Sequence, residues 1–306
     1  MTIKKEQILY AFHDELLHDL VMYGKSSERN SKNINVQIES ECKTFTTHEV
    51  FLLMILLDYY IKNGAEPQFI TLSYIHKAYR NKRTGKKNVM SRTDLSAYIK
   101  AIDQLRLKKV SVNIKNVRRK YKVNNTHTCN KRLLNLREYM RLPNGDIIFS
   151  YDFGEFGDIL VKSKRYSNNI PIDIVRCSYQ QITMLYIMMY LSKLIYINQK
   201  KTVNDFKLMF TSIMKHIKVH AKDGSNTNQN LLEILGTKIM NKYNYLTIFK
   251  QHLINVLDML LENGTIKDYA IHPNIDELTI KNYEKYKLQI KFKNWQMLFI
   301  FYICYL

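Results

Sequence analysis

Apolar residues recur at helical spacing along much of the chain, and the breaks between these runs are polar. Ile8, Leu9, Phe12, Leu16, Leu20 and Val21 predict an N-terminal helix over residues 4–23, stopped by Gly24 and followed by a polar linker at 25–35. Thr46-Thr47-His48-Glu49 has the Thr-x-x-Glu spacing of a capping box ahead of VFLLMILLDYY, so a second helix is expected to start there and end near Asn63-Gly64. A short strand at 68–71, a short helix at 72–79 and a basic loop at 80–89 come next. Ser91-Arg92-Thr93-Asp94 caps a further helix with Leu95, Ile99, Ile102 and Leu105 on its core stripe. Residues 110–114 alternate as a strand does, and 133–142 and 146–151 read as two strands around the Pro143-Asn144-Gly145 turn.

A similar order returns downstream. Ser178-Tyr179-Gln180-Gln181 opens a long apolar helix reaching about residue 196, and 202–219 reads as another amphipathic helix. After the polar loop 221–230 come a short helix at 231–242 and a longer one at 245–262, with Leu246, Phe249, Leu253, Leu257 and Leu260 facing inward. Asn263-Gly264 ends it, and 266–271 and 287–292 read as strands. Each block therefore runs long helix, short helix, longer helix, two-stranded hairpin, which is a winged-helix order. The expected fold is mostly α with small β-wings, an α+β chain of two tandem winged-helix domains plus an N-terminal helix. The boundaries expected are 1–35 for the N-terminal helix and linker, 36–152 and 153–293 for the two domains, and 294–306 for an apolar tail. A length of 306 residues with 46% hydrophobic content is enough for two such cores, while 9 Gly and 4 Pro argue against collagen-like or many-turned β architectures.

Charge sharpens this picture. Sixteen Lys and Arg against two acids, Asp94 and Asp103, fall between Lys77 and Lys122, so 14 of the formal +20 charge lies there. A cluster of that density favours a polyanion, with nucleic acid ahead of an anionic membrane. The helix beginning at Ser91 offers Arg92, Thr93, Ser96, Lys100 and Gln104 opposite its apolar stripe. Arg and Lys can hydrogen-bond guanine edges and Gln can pair with adenine. Lys115, Arg118, Arg119, Lys120 and Lys122 form a basic wing, and Lys86 and Lys87 precede the helix, all placed to meet phosphates. In the second block the equivalent face holds Tyr245, Thr247, Lys250, Gln251 and Asn255, with Lys267, Lys281, Lys285 and Lys287 near its wing. Contact with DNA and a structural or dimerising role both remain open for that block.

The motifs TTHEVFLLMILLDYY, LSAYIKAIDQLRLKKVSVNI, GDIIFSYDFGEFGDILVKSKRYSNNIP followed by YQQITMLYIMMYL, and NLLEILG with YNYLTIFKQHLINVLDMLLENGTIKDYAI stand in an order that resembles plasmid replication initiators built from two tandem winged-helix domains. The resemblance covers residues 46–292. It implies binding of repeated origin sites on double-stranded DNA, recruitment of host replication proteins, a monomer–dimer switch, and no catalysis. A helix at 202–219 and the apolar tail depart from that pattern.

Other chemistries find little support. Cys42, Cys129, Cys177 and Cys304 form no close pair, so no disulfide framework or metal knuckle is expected. His216 and His220 are spaced i, i+4 without the Glu that a zinc-protease helix needs, and there is neither a His-x-His pair nor a phosphate-binding P-loop. No cofactor, metal or catalytic constellation is expected. Asp14, Glu15 and Asp19 interrupt any secretory apolar core, so a cytoplasmic protein is the expectation. Residues 297–306, MLFIFYICYL, are apolar but reach about half of a bilayer as a helix, too short for stable membrane insertion. The N-terminal helix reads either as a contact for a homodimer or as a cap on the first domain. A winged-helix transcriptional regulator is the rival reading, and an adaptor on anionic membrane surfaces is a third.

Overall fold

The computed structural model describes residues 8–11, 20–21, 34–38, 45–63, 67–80, 90–114, 129–154, 168–171, 174, 182–200, 203–218, 229–237 and 242–292. The chain divides into unit 1 (Met1–Ile182) and unit 2 (Thr183–Leu306). Both mix helix and strand among the described residues, with helix predominant in unit 2 and the two nearly balanced in unit 1.

Unit 1 opens with β1 (Ile8–Ala11) and β2 (Ile34–Ile38), followed by α1 (Thr47–Lys62), β3 (Gln68–Thr71), α2 (Leu72–Ile75) with a wider π turn at His76–Arg80, and α3 (Arg92–Leu107). Then come β4 (Lys109–Ile114), β5 (Cys129–Arg132), β6 (Asn135–Arg141), β7 (Ile147–Asp152) and β8 (Asn168–Pro171). The strands pair antiparallel, in the orders β2-β4-β5, β3-β7-β6 and β1-β8. The N-terminal helix predicted over residues 4–23 is corrected in part. Residues 8–11 are strand, paired from Ile8↔Pro171 to Ala11↔Asn168, whereas Leu20 and Val21 are helical and buried. Ile8-Leu9-Tyr10 suits either state locally, and a partner far along the chain decides it.

The capping box expected at Thr46 forms: Glu49 N–H donates to Thr46 Oγ1 at 3.3 Å and Thr46 N–H to Glu49 Oε2 at 3.2 Å. The helix that follows, α1, is buried on nearly all sides, including Val50, Leu52, Leu53, Ile55 and Leu56 at 0% exposure, so it is the central element of the unit rather than an amphipathic surface helix. It packs on α3 and β1. Tyr151 on β7 donates its hydroxyl to the Leu56 carbonyl at 2.8 Å. Asp58, fully buried, accepts from the Tyr79 hydroxyl at 2.8 Å and from Lys62 at 2.7 Å. Burial and the Asp58 charge together hold the Tyr79 phenol firmly protonated. At the β6–β7 turn, Asp146 accepts the Ser73 N–H at 3.1 Å and also the Ser73 hydroxyl, which seats the turn on the first turn of α2.

Unit 2 contains α4 (Ile182–Lys200), β9 (Asp205–Met209), α5 (Phe210–Lys215), α6 (Leu231–Gly236), α7 (Lys242–Glu262), β10 (Asp268–His272) and β11 (Lys287–Lys291), with the sheet ordered β10-β11-β9. The helix predicted over 202–219 is corrected: its first half is β9, and only Phe210–Lys215 is helical. Phe206 and Leu208 lie opposite Ile290 and Leu288 of β11, and this pairing overrides the helical spacing of the apolar residues. Phe210 contacts the rings of Phe249 and Tyr286 at centroid distances of 5.8 and 5.5 Å, joining α5, α7 and the start of β11 in one core. The two units share one motif. In each, a long helix leads to a strand that pairs with the last strand of a later hairpin, β3 with β7 and β9 with β11.

Candidate nucleic-acid interface

The surface with the densest candidate chemistry centres on α3. A capping box starts this helix: Asp94 N–H donates to Ser91 Oγ at 3.1 Å, and Ser91 N–H donates to Asp94 Oδ2 at 3.2 Å. Tyr98, Ala101, Ile102 and Leu105 are buried, while the predicted core residues Leu95 and Ile99 are half-buried. Tyr98 is the core residue that the apolar pattern missed, because a phenol reads as amphipathic. Arg92, Thr93, Ser96 and Lys100 are exposed and Gln104 is half-buried. Arg92, Ser96, Lys100 and Gln104 succeed one another at i, i+4, a polar stripe about 18 Å long. Of the helix's two acids, Asp94 is held in the cap and Asp103 lies 3.9 Å from Arg106.

The hairpin after α3 extends the cationic surface. Lys109 and Arg132 stand directly opposite each other across β4 and β5, and both are exposed. Like charges in register destabilise a sheet unless an anion offsets them. Neither residue was singled out from the sequence; their pairing depends on register, which the sequence does not display. Lys115, Arg118, Arg119, Lys120 and Lys122 belong to residues 115–128, between β4 and β5, and lie outside the described residues, as do Lys86 and Lys87.

Not every cation of the cluster faces water. Lys108 is buried with Glu49, its Nζ 3.2 Å from Glu49 Oε2, each side chain 2% exposed, and it sits 4.9 Å from the Phe45 ring. It fastens the end of α3 to the start of α1. Its carbonyl also accepts the Leu133 N–H at 2.7 Å, which closes the base of the β4–β5 hairpin.

Beside α3, the exposed residues of β6 include Arg137, Tyr139 and Arg141. Burial and the Asp103 charge raise the Tyr139 phenol pKa, against the opposing pull of Arg106 and Arg141. Arg137 is committed to Asp152 at 2.7 Å. Asp152 also accepts from Asn135 Nδ2 at 2.9 Å and from Gly154 N–H at 2.8 Å. Burial pushes the Asp152 pKa up, but these three donors outweigh it and hold the carboxyl below its usual range.

In unit 2 the corresponding face of α7 exposes Thr247 and Gln251, with Tyr245, Lys250 and Asn255 half-buried. Lys250 donates to Asp276 at 2.9 Å, an acid in the connection between β10 and β11. Lys267, Lys281, Lys285 and Lys287 are exposed, and so are the acids Glu277 and Glu284 in the same connection and its flanks. Among the described residues no cluster of three or more His, Cys, Asp or Glu could hold a metal ion, and no helix is long and apolar enough to cross a membrane. No family model, curated protein or solved structure matches the chain.

Proposed function

We propose that this chain binds double-stranded DNA sequence-specifically as a replication initiator, through two tandem winged-helix domains, and does no chemistry of its own. In this reading α3 is the recognition helix of the first domain and β6–β7 is its wing; the basic run expected to be the wing, Lys115 to Lys122, instead falls between β4 and β5, an insertion ahead of β6–β7. The matching orders β3-β7-β6 and β9-β11-β10 of the two antiparallel sheets support the assignment of two like domains. The observation that carries the DNA reading is the capped α3 with its stripe Arg92, Ser96, Lys100 and Gln104 free of acids, followed at once by the facing cations Lys109 and Arg132. Repeated origin sites, host replication proteins and a homodimer are the partners that go with it, in a cytoplasmic setting.

The test is footprinting and binding on DNA from the gene's own neighbourhood. Regularly spaced protected direct repeats beside an AT-rich tract are expected. The log of affinity against the log of salt is expected to fall with a slope of roughly −5 to −7 if six to eight phosphates are neutralised. A single inverted repeat at a promoter would assign the same surface to transcriptional control. Binding to anionic vesicles without any preference among DNA sequences would overturn both.

A further inference from the structure

The outward face of α7 is closed by the chain's own acid. Lys250 keeps 26% side-chain exposure and reaches Asp276, which is 79% exposed, at 2.9 Å. Asp276 does not depend on that ion pair for its position. Its N–H donates to Asn274 Oδ1 at 3.1 Å, Asn282 Oδ1 accepts the Thr279 N–H at 2.7 Å, and Asn282 Nδ2 donates to the Glu277 carbonyl at 2.9 Å. The Tyr286 hydroxyl donates to the Asn274 carbonyl at 3.0 Å. The 275–277 turn is therefore braced by hydrogen bonds within the 274–286 connection, and it is tied to α7 by the Lys250–Asp276 pair. Leu246, Ile254 and Leu278 line a cavity of about 550 Å3 alongside the pair.

A carboxylate on a lysine occupies the place that a phosphate oxygen would take: the same charge sign, the same acceptor role, the same donor. We propose that Asp276 is a built-in competitor for the DNA phosphate, an autoinhibitory latch that holds Lys250 and weakens duplex engagement by α7 until DNA displaces it. The proposal rests on the DNA-binding reading above. An ion pair with one partner largely in water is weak, so the latch attenuates binding without abolishing it.

The experiment measures fluorescence anisotropy of a labelled 30-bp mixed-sequence duplex, at about 50 mM salt so that phosphate contacts dominate, with the full chain and four variants. Asp276→Asn is expected to tighten binding about 2- to 5-fold, the range set by an exposed pair. Asp268→Asn removes the same charge from the Lys291 pair, 3.1 Å apart at the far end of β10, and is expected to give less than half that gain. Lys250→Ala is expected to weaken binding slightly, and Asp276→Asn in the Lys250→Ala background is expected to gain nothing. Equal gains from the two aspartate variants, or a gain that survives without Lys250, would overturn the latch. Wild-type binding with no gain in Asp276→Asn sinks the latch alone. Absence of duplex binding by both the wild type and Asp276→Asn sinks the latch and the DNA reading together.

Discussion

Lys108→Met separates the two fates of a basic residue in the cationic segment. By sequence it is one of sixteen positive charges between Lys77 and Lys122. In the fold it is 1% exposed, with Nζ 3.2 Å from a Glu49 carboxylate that is itself buried. Removing one partner of a buried pair leaves the other charge uncompensated, at a cost of about 3–5 kcal/mol. Glu49 retains the Thr46 N–H at 3.2 Å after the change, which points to the lower end, about 3 kcal/mol. For a unit of this size each kcal/mol moves Tm by about 2–4 °C, so a fall of about 6–12 °C is expected by calorimetry. Replacing both residues, as Glu49→Leu with Lys108→Met, is expected to recover part of the loss, because no charge is then stranded, although the capping box goes with Glu49. Below the melting transition, the salt slope of duplex binding is expected to be unchanged in Lys108→Met. A Tm fall under about 2 °C accompanied by a shallower slope would refute the reasoning and return Lys108 to the surface.

Lys100→Ala is expected to do the reverse, leaving Tm within about 1 °C while costing about 1–3 kcal/mol on a specific site and less on random DNA; equal losses on both would reassign Lys100 to a phosphate. Changing Arg118, Arg119 and Lys120 together to Ala is expected to flatten the salt slope by about 3 units, and an unaltered slope would show that they do not contact DNA. Gly154→Ala is expected to cost about 1–3 kcal/mol in denaturant unfolding, since φ is +50° there and the added Cβ would lie 2.9 Å from Asn135 Nδ2; a neutral result would show that the β7 terminus readily rearranges. The depressed Asp152 pKa makes its carboxylate stabilising above the ordinary carboxylate pKa, with that contribution lost as pH falls through the lower folded value. Thermal melts of Asp152→Asn should therefore fall below wild type at pH 7 and converge with it in acid; a gap independent of pH would assign the effect to packing.

The parts of the fold written in adjacent residues were legible. The capping boxes at Thr46 and Ser91 need only side chains three residues apart, and the Pro143-Asn144-Gly145 turn needs only its own backbone preferences, with Gly145 at φ +83°. Strands that depend on distant partners were not. Residues 205–209 satisfy a helical spacing, and only the approach of β11 makes them a strand. The same holds for 8–11 and β8. On the candidate interface, the exposed stripe of α3 followed from its period, since a helix with one apolar stripe presents a polar one opposite. Burial of Lys108, the facing pair Lys109 and Arg132, and capture of Lys250 by Asp276 all depend on tertiary register. A sequence lists such charges without saying which of them meet.

In both units the strand at the centre of the β3-β7-β6 or β10-β11-β9 sheet is the one made last. A nascent chain leaving the ribosome therefore holds two edge strands with nothing between them until the last strand of its final hairpin emerges. Asp205 and Gln289, bonded across unit 2, are 84 residues apart, an interval of roughly 4–17 s at ordinary translation speeds. Through that interval β9 has no native sheet partner, and a chain truncated before β11 would carry both outer strands permanently unpaired and prone to join with other chains.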